Sequence, residues 1–335
     1  MTDYPANKKS SKKPVWAKME AARKWRAMLA IFICIFLGFF IVNGILRAFS
    51  FKKYVSASRW DDSMPYVAAI STTPPSVLVF NKELAQIVIL KVPGDLNVPT
   101  SDATSPPMEV SDINRRDGGE MTKVLTRVLG LDIQNYAVLK EGREIDQAMA
   151  EKAYRDLVSF ETLAKIVIVG KVSGIESTNI TRIDLLRLWW QVKSSSIKSP
   201  KIIDLRQFSE DVVGVRGTKI KSLDRELAHL SINKYFEVRN LADQNIKLEI
   251  KNSSGAVGVG QLAGEIAASA GFNVIRVESG EVKIAKCRIR AASKNSQAVS
   301  YLANMFKCDI VSPLPDAQMN LIILDLGSDF AQRLF

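Results

Sequence analysis

The most apolar stretch of the chain runs from Ala27 to Leu46 and contains no charged residue. A helix of about 20 apolar residues spans the roughly 30 Å hydrocarbon core of a bilayer, so this pattern predicts a transmembrane helix over 27–46. One alternative is a buried core helix, which is rarely apolar on every face. Another is a signal peptide cleaved after Ala57, although the apolar region of such peptides is only about 7 to 15 residues long.

The segment before this helix, residues 1–26, is rich in lysine and arginine, with only Asp3 and Glu20 as acidic residues. Basic flanks stay on the cytoplasmic side of a membrane. The sequence therefore predicts a single-pass cell-membrane protein with a cytoplasmic basic tail and extracytoplasmic domains. The net charge of +11 is concentrated in this tail, which indicates contact with anionic lipid. No basic stripe interleaved with aromatic residues follows, so no nucleic-acid partner is expected.

The hydrophobic pattern between residues 76 and 240 alternates between strand-like and helix-like runs, after a predicted stalk at 47–75. Near-continuous runs of Val, Ile and Leu predict buried strands, and apolar residues at helical spacing predict helices. The predicted strands are Ser76–Phe80, Gln86–Val92, Asn135–Leu139, Ala164–Val169 and Lys201–Leu205. The predicted helices are Glu120–Leu129, Glu144–Val158, a helix after the Thr181 and Asp184 capping pair, and Ser222–Phe236.

A second, smaller domain is predicted over 245–335, after a polar linker at Arg239–Gln244. Ile246, Leu248 and Ile250 alternate with charged residues as in a half-buried strand. A helix from about Val259, strands at 273–277, 283–290 and 321–325, and a helix at 295–306 give a βαββαβ order. The predicted fold class is therefore α/β, with one transmembrane helix and two extracytoplasmic domains.

Candidate chemistry is sparse. His229 is the only histidine and the chain has three cysteines, which disfavours a Ser-His-Asp triad and a zinc site. Cys287 and Cys308 flank a predicted strand and helix that bring them together, so outside the cytoplasm they are predicted to form a disulfide, with two buried thiols as the alternative. Trp189 and Trp190 are candidates for glycan or lipid contact, although packing in the core explains them as well.

Two segments resemble the LytR-CpsA-Psr family. SVLVFNKELAQIVILKVPGDLNV, followed by DINRRDGGEMTKVLTRVLGLDIQNYAVL, is similar to part of its catalytic domain. Residues 246–326, which begin IKLEIKNSSGAVGVGQLAGEIAASAGFNV, resemble the LytR C-terminal domain. The resemblance implies transfer of glycopolymers from polyprenyl-pyrophosphate carriers to the cell wall, with arginines and acidic residues that hold the pyrophosphate and a magnesium ion. The implied partners are a polyprenyl lipid and a cell-wall glycopolymer.

The chain departs from the family pattern at the catalytic positions. Thr73-Pro74-Pro75 replaces an arginine and an aspartate before the first core strand, and Pro93-Gly94-Asp95 replaces proline-arginine-aspartate. Asp95 remains as a vestigial candidate, with Arg115 and Arg116 as substitutes near it in sequence. The sequence therefore favours a diverged cell-envelope member that binds or scaffolds without catalysis, metal or cofactor. A glycopolymer phosphotransferase that uses magnesium is the alternative.

Overall fold

The first sheet of the computed structural model has six strands in the order β5-β4-β1-β2-β3-β6. The structure describes residues 60, 64–99, 108–170, 172–213, 217, 219–293, 296–311 and 320–334. The strands are β1 (Tyr66–Ile70), β2 (Ser76–Asn81), β3 (Gln86–Lys91), β4 (Asn135–Leu139), β5 (Ile175–Thr178) and β6 (Lys201–Asp204). β1 to β3 form an antiparallel meander, while β4 and β6 run parallel to their neighbours β1 and β3.

Helices cover both faces of this sheet. They are α1 (Gly118–Leu129), α2 (Gln147–Leu157), α3 (Phe160–Ile168), α4 (Arg182–Ser194) and α5 (Arg225–Ile232), and a hairpin of β7 (Ser209–Val213) and β8 (Lys219–Leu223) precedes α5. On one face, Val77, Val79, Val88 and Leu90 pack in a core with α1. The alternating residues, such as Leu78 and Ile89, lie on the other face, as the period of two in a strand requires.

The second sheet has five strands in the order β10-β9-β13-β11-β12. Its strands are β9 (Lys247–Asn252), β10 (Asn273–Ser279), β11 (Arg288–Ala291), β12 (Asp309–Ile310) and β13 (Leu321–Leu326), and its helices are α6 (Arg239–Asp243), α7 (Val259–Ser269), α8 (Gln297–Phe306) and α9 (Ser328–Leu334). A separate hydrophobic core, which includes Leu248, Ile250 and Leu324, holds these elements together. The described residues of both sheets belong to one compact unit.

Most predicted elements are present, but the strand predicted at Ala164–Val169 is wrong, because these residues lie in and just after α3. Ser159 caps this helix, since its side chain accepts a hydrogen bond from the backbone N–H of Thr162. Thr162 and Ile166 are the buried positions of α3, whereas Val167, Ile168 and Val169 are exposed. The apolar run is therefore an outward-facing helical surface rather than a buried strand.

Four further assignments need correction. Residues 66–70, assigned to the stalk, form β1 in the middle of the first sheet. The linker at Arg239–Gln244 contains α6, whose Leu241 is fully buried. The strand predicted at 283–290 is confined to β11, and the helix predicted at 222–236 begins at Arg225, because the preceding residues pair in the β7–β8 hairpin. The predicted membrane span at 27–46 lies outside the described residues, and within those residues no helix is long and apolar enough to cross a bilayer.

Candidate functional site

A cleft lies where β1 and β3 end and β2 begins. Its volume is about 270 Å³, and it is lined by Thr73, Pro74, Pro75, Gly94, Asp95, Ser111, Arg115 and Arg206. Parallel pairing of β3 with β6 brings the residues after both strands to the same edge of the sheet. That edge is where ligands bind in open α/β sheets, so the cleft is a candidate binding site.

The Arg115 side chain is held against the segment that follows β1. Its Nη1 atom donates a hydrogen bond to the hydroxyl of Thr73 and lies 3.5 Å from the carbonyl oxygen of Thr72. The Thr73 hydroxyl in turn donates to the carbonyl oxygen of Gly142, at 2.5 Å. These contacts fix the guanidinium at the wall of the cleft, where its remaining donors can meet the oxygens of an anion.

Asp95 is the acidic residue of the cleft, and it forms an ion pair with Lys221 of β8. The Oδ2 to Nζ distance is 2.7 Å. This hydrogen bond, with a smaller contribution from the charge of Arg206, lowers the pKa of the Asp95 carboxyl. Arg115 and Arg206 thus line the cleft with Asp95, whose charge is compensated by Lys221, and the two guanidinium groups favour an anionic ligand.

A larger, apolar cavity lies between the first sheet and helices α2 to α4. Its volume is about 540 Å³. Ala68, Leu78 and Ile89 are directly paired across three strands and form its floor. Ala150 and Leu157 of α2, Thr162 of α3, and Leu185 and Leu188 of α4 contribute to its walls. An apolar cavity of this size is typical of small-molecule and lipid sites.

The cavity and the cleft meet the same end of β1. Ile70, the last residue of that strand, lines the cavity, while Thr73 lines the cleft. Leu139, at the end of the neighbouring strand β4, also lines the cavity. An apolar chamber and a cationic cleft at one end of a strand suit an amphiphile with an anionic head group.

The predicted site residues do not all come together. Asp95 and Arg115 line the same cleft. This arrangement is required if Arg115 takes the place of the arginine that is missing before Asp95. Arg116, by contrast, is exposed and does not line it. Trp189 is buried, and its indole N–H donates to the carbonyl oxygen of Ser159 at 3.2 Å, whereas Trp190 is exposed. Packing therefore accounts for Trp189, and only Trp190 is available at the surface.

Cys287 and Cys308 are joined by a disulfide, with their Cα atoms 4.7 Å apart. Both residues are buried in the core of the second sheet. Cys287 precedes β11 and Cys308 precedes β12, and these two strands pair in parallel. The bridge therefore belongs to the second sheet and lies apart from the residues that line the cleft.

Sequence reasoning missed Arg206 and Lys221. Arg206 lies two residues after β6, a strand that the pattern predicts, and the parallel pairing of β3 with β6 was the missing information. Lys221 lies in the β7–β8 hairpin, whose polar residues carry a weak strand signal. Their positions depend on strand pairing, which a single sequence does not reveal.

Among the described residues, no group of three His, Cys, Asp or Glu side chains could hold a metal ion. Magnesium prefers carboxylate and water oxygens, and it is usually bound through one or two carboxylates together with substrate phosphates. Asp95 supplies one carboxylate to the cleft and already pairs with Lys221. The cleft therefore offers a magnesium ion one carboxylate, and binding of the ion there would have to displace the Lys221 ammonium.

No protein-family model and no curated protein match the chain. The chain does resemble several solved structures. One neighbour is a LytR-CPS2A-psr protein. This is TagT, solved with bound octaprenyl pyrophosphate lipid, at 12% identity and a TM-score of 0.34, with 54% of this chain and 92% of TagT covered.

Two other solved structures show a similar level of likeness. TagV from B. subtilis has 12% identity and a TM-score of 0.39 over 52% of this chain and 97% of its own. A transcriptional regulator from Enterococcus faecalis has 9% identity and a TM-score of 0.37 over 54% of this chain and 89% of its own. At these scores, the function of the chain has to be argued from its own residues.

Proposed function

We propose that this chain is a membrane-anchored, extracytoplasmic cell-envelope protein that binds a polyprenyl-pyrophosphate-linked glycan carrier without transferring the glycan. The polyprenyl chain occupies the apolar cavity, and the pyrophosphate lies in the cleft between Arg115 and Arg206. The observation that carries this proposal is the position of both spaces at the end of β1. The anchor and the extracytoplasmic location rest on the apolar segment at 27–46 and its basic flank.

The lining of the cavity supports a polyprenyl ligand. Its floor is made of aliphatic side chains of the sheet, and its exposed lining is mostly apolar. A hydrocarbon chain has no hydrogen-bonding group of its own that such surroundings would leave unpaired. The carbonyl and hydroxyl groups around Thr73 lie instead at the cleft, where the polar head group is placed.

The charges of the cleft support a pyrophosphate head group. Arg115 and Arg206 can each offer two parallel N–H donors to phosphate oxygens, a geometry that a lysine cannot match. Lys221 compensates the charge of Asp95 and so prevents that carboxylate from repelling the phosphate. Because the one carboxylate that lines the cleft is already paired with Lys221, binding without transfer is the proposed activity.

Binding of an undecaprenyl pyrophosphate probe to the purified full chain in nanodiscs tests this proposal. We expect Arg115→Ala and Arg206→Ala to weaken binding by about 10- to 100-fold each, since a charge-assisted hydrogen bond contributes about 1.5–3 kcal/mol. Arg116→Ala is the matched control, because this neighbouring arginine lies outside the cleft. Equal losses for Arg115→Ala and Arg116→Ala would contradict the assignment of the head-group site.

A second pair of variants tests the cavity. Ala150 is buried against the cavity, whereas Ala148 is an exposed residue of the same helix. We expect Ala150→Trp to abolish binding of the probe and Ala148→Trp to leave it unchanged.

Incubation with magnesium and a lipid-linked glycopolymer should give no transfer. Transfer that is lost on Asp95→Ala would instead establish the phosphotransferase alternative.

A further inference from the structure

The outer surface of the α3–α4 pair is unusually apolar. Five large side chains of this surface are between 56% and 77% exposed: Phe160, Val167, Ile168, Val169 and Trp190. We call these five residues the α3–α4 surface. Exposed apolar residues are normal when scattered singly, but a cluster of them marks an interaction site.

Contacts between the two helices bring these residues together. The ring of Phe160, at the start of α3, lies 5.9 Å from that of Trp189 near the end of α4, and the Trp189 ring lies 6.5 Å from that of Trp190. At the opposite end, Arg182 of α4 donates to the carbonyl oxygen of Val169 at 3.3 Å. The helices therefore run antiparallel. Phe160, Val167 and Ile168 recur at helical spacing on the exposed side of α3, and Trp190 lies at the Phe160 end of α4.

The chain enters the described fold next to this surface. The backbone N–H of Trp60 donates to Asp184 of α4 at 3.3 Å, and Arg187 of the same helix donates to the carbonyl oxygen of Trp60 at 2.9 Å. The predicted membrane helix ends at Leu46. Even when fully extended, the connection from Leu46 to Trp60 reaches at most roughly 50 Å. The start of the described fold therefore lies within roughly 50 Å of the end of the predicted membrane helix, and it is held by hydrogen bonds to the helix that carries Trp190.

The charges at the edge of this surface suit an anionic bilayer. Arg182 and Lys193 are exposed at opposite ends of α4, and the Lys193 ammonium lies 5.6 Å from the centre of the Phe160 ring. The acidic residue of α3, Glu161, is paired with Lys165 at 2.6 Å. Tryptophan and basic residues together are the side chains that settle at the headgroup level of a membrane.

We propose that the α3–α4 surface docks on the extracytoplasmic face of the bilayer in which the chain is anchored. This inference rests on the proposed membrane anchor and does not require the polyprenyl site. It also bears on the polyprenyl site, because Thr162 and Lys165 of α3 line the apolar cavity. Docking would place the wall of the cavity at the lipid surface, so that a polyprenyl chain could enter without crossing water.

The test uses the full chain in vesicles that contain phosphatidylglycerol, with Cys34→Ser as background. An environment-sensitive fluorophore is attached at Ile168→Cys or Trp190→Cys, and its quenching by brominated acyl chains is measured. The controls are Leu230→Cys and Val282→Cys, which replace equally exposed apolar residues elsewhere. An interfacial surface lies roughly 5–10 Å into the headgroup and acyl boundary, so we expect about a twofold loss of emission at positions 168 and 190 and none at the controls.

Two results would overturn the proposal. Equal quenching at all four positions would show no preferred docking surface. A fluorophore at Ile168→Cys that is shielded from water but not quenched by the acyl chains would show that a protein covers the surface instead. The vesicles contain no polyprenyl ligand, so this measurement is independent of the binding assays. Failure of the polyprenyl site would therefore leave the docking result intact, and the reverse also holds.

Discussion

Lys221 Nζ lies 2.7 Å from Oδ2 of Asp95 and thereby connects the β7–β8 hairpin to the turn that follows β3. The same hairpin also reaches this segment through its backbone, since the N–H of Asn97 donates to the carbonyl oxygen of Lys221 at 2.7 Å. The side chain and the backbone of one residue thus hold the turn that carries Asp95. The charge of the cleft depends on this contact.

Replacement of Lys221 should change the titration of Asp95. The ion pair lowers the pKa of the folded carboxyl, so its stabilising contribution is present above the unfolded pKa and is lost as the pH falls through the folded pKa. We expect Lys221→Met to raise the Asp95 pKa towards its ordinary value. The measurement is an NMR titration of the Asp95 carboxyl, and Lys219→Met on the same strand is the control. An identical Asp95 pKa in both variants would contradict the ion pair.

The two adjacent tryptophans should differ sharply in their effect on stability. Trp189 is buried between α3 and α4, so Trp189→Ala should lower the free energy of unfolding by about 3–5 kcal/mol. Trp190 is exposed, and Trp190→Ala should change it by less than about 0.5 kcal/mol. Urea unfolding followed by circular dichroism measures both values. A large loss in Trp190→Ala would show that this residue packs within the protein.

The helix that carries these tryptophans shows how far the sequence determines the fold. The Thr181 and Asp184 pair predicts its start, and in the structure the Thr181 hydroxyl accepts from the Asp184 N–H at 3.1 Å and donates to its carboxylate at 2.7 Å. Local hydrogen bonds of this kind involve residues close in sequence and are therefore predictable. The strand prediction at Ala164–Val169 failed because α3 exposes its apolar side, which removes the usual contrast between a buried and a solvated face.

The candidate site was predictable only in part for a similar reason. Asp95 and Arg115 were found because both lie within the segments that resemble a known family. Arg206 joins them through the pairing of β3 with β6, strands that are far apart in sequence. The apolar cavity was not predictable at all, because its floor is a row of residues from three strands whose register is fixed only in the folded sheet.

The disulfide is expected to stabilise the second sheet. Cys287 and Cys308 are separated by 21 residues, and closure of a loop of that length contributes roughly 3 kcal/mol in the chain-entropy model. We expect the Cys287→Ser, Cys308→Ser double variant to lose about this free energy of unfolding, as measured by denaturation with urea. Cys34→Ser retains the bridge and is the control. Intact mass measured before and after reduction should show the loss of one bridge, and an unchanged mass would contradict it.

The free energy of unfolding should depend on pH because of Asp132, which lies near the contact between the two sheets. It precedes β4, and the Gln134 side chain donates both to its carboxylate at 2.8 Å and to the carbonyl oxygen of Met305 in α8 at 3.2 Å. Burial raises the pKa of Asp132 to about 6, against the opposing effects of the Gln134 hydrogen bond and of the positive charges of Lys307 and Arg333. The folded protein therefore binds the Asp132 proton more tightly than the unfolded chain does.

The sign of the effect follows from this linkage. A carboxyl whose pKa is raised by folding stabilises the protein least when it is ionised, so stability should fall as the pH rises from about 4 through 6. A shift of about two units corresponds to at most about 3 kcal/mol, and contact with solvent reduces this value. Asp132→Asn keeps an oxygen that can accept the Gln134 hydrogen bond but does not ionise. Its free energy of unfolding should exceed that of the parent protein at pH 7.5 and match it near pH 4; parallel pH profiles would show that Asp132 is solvated in the folded state.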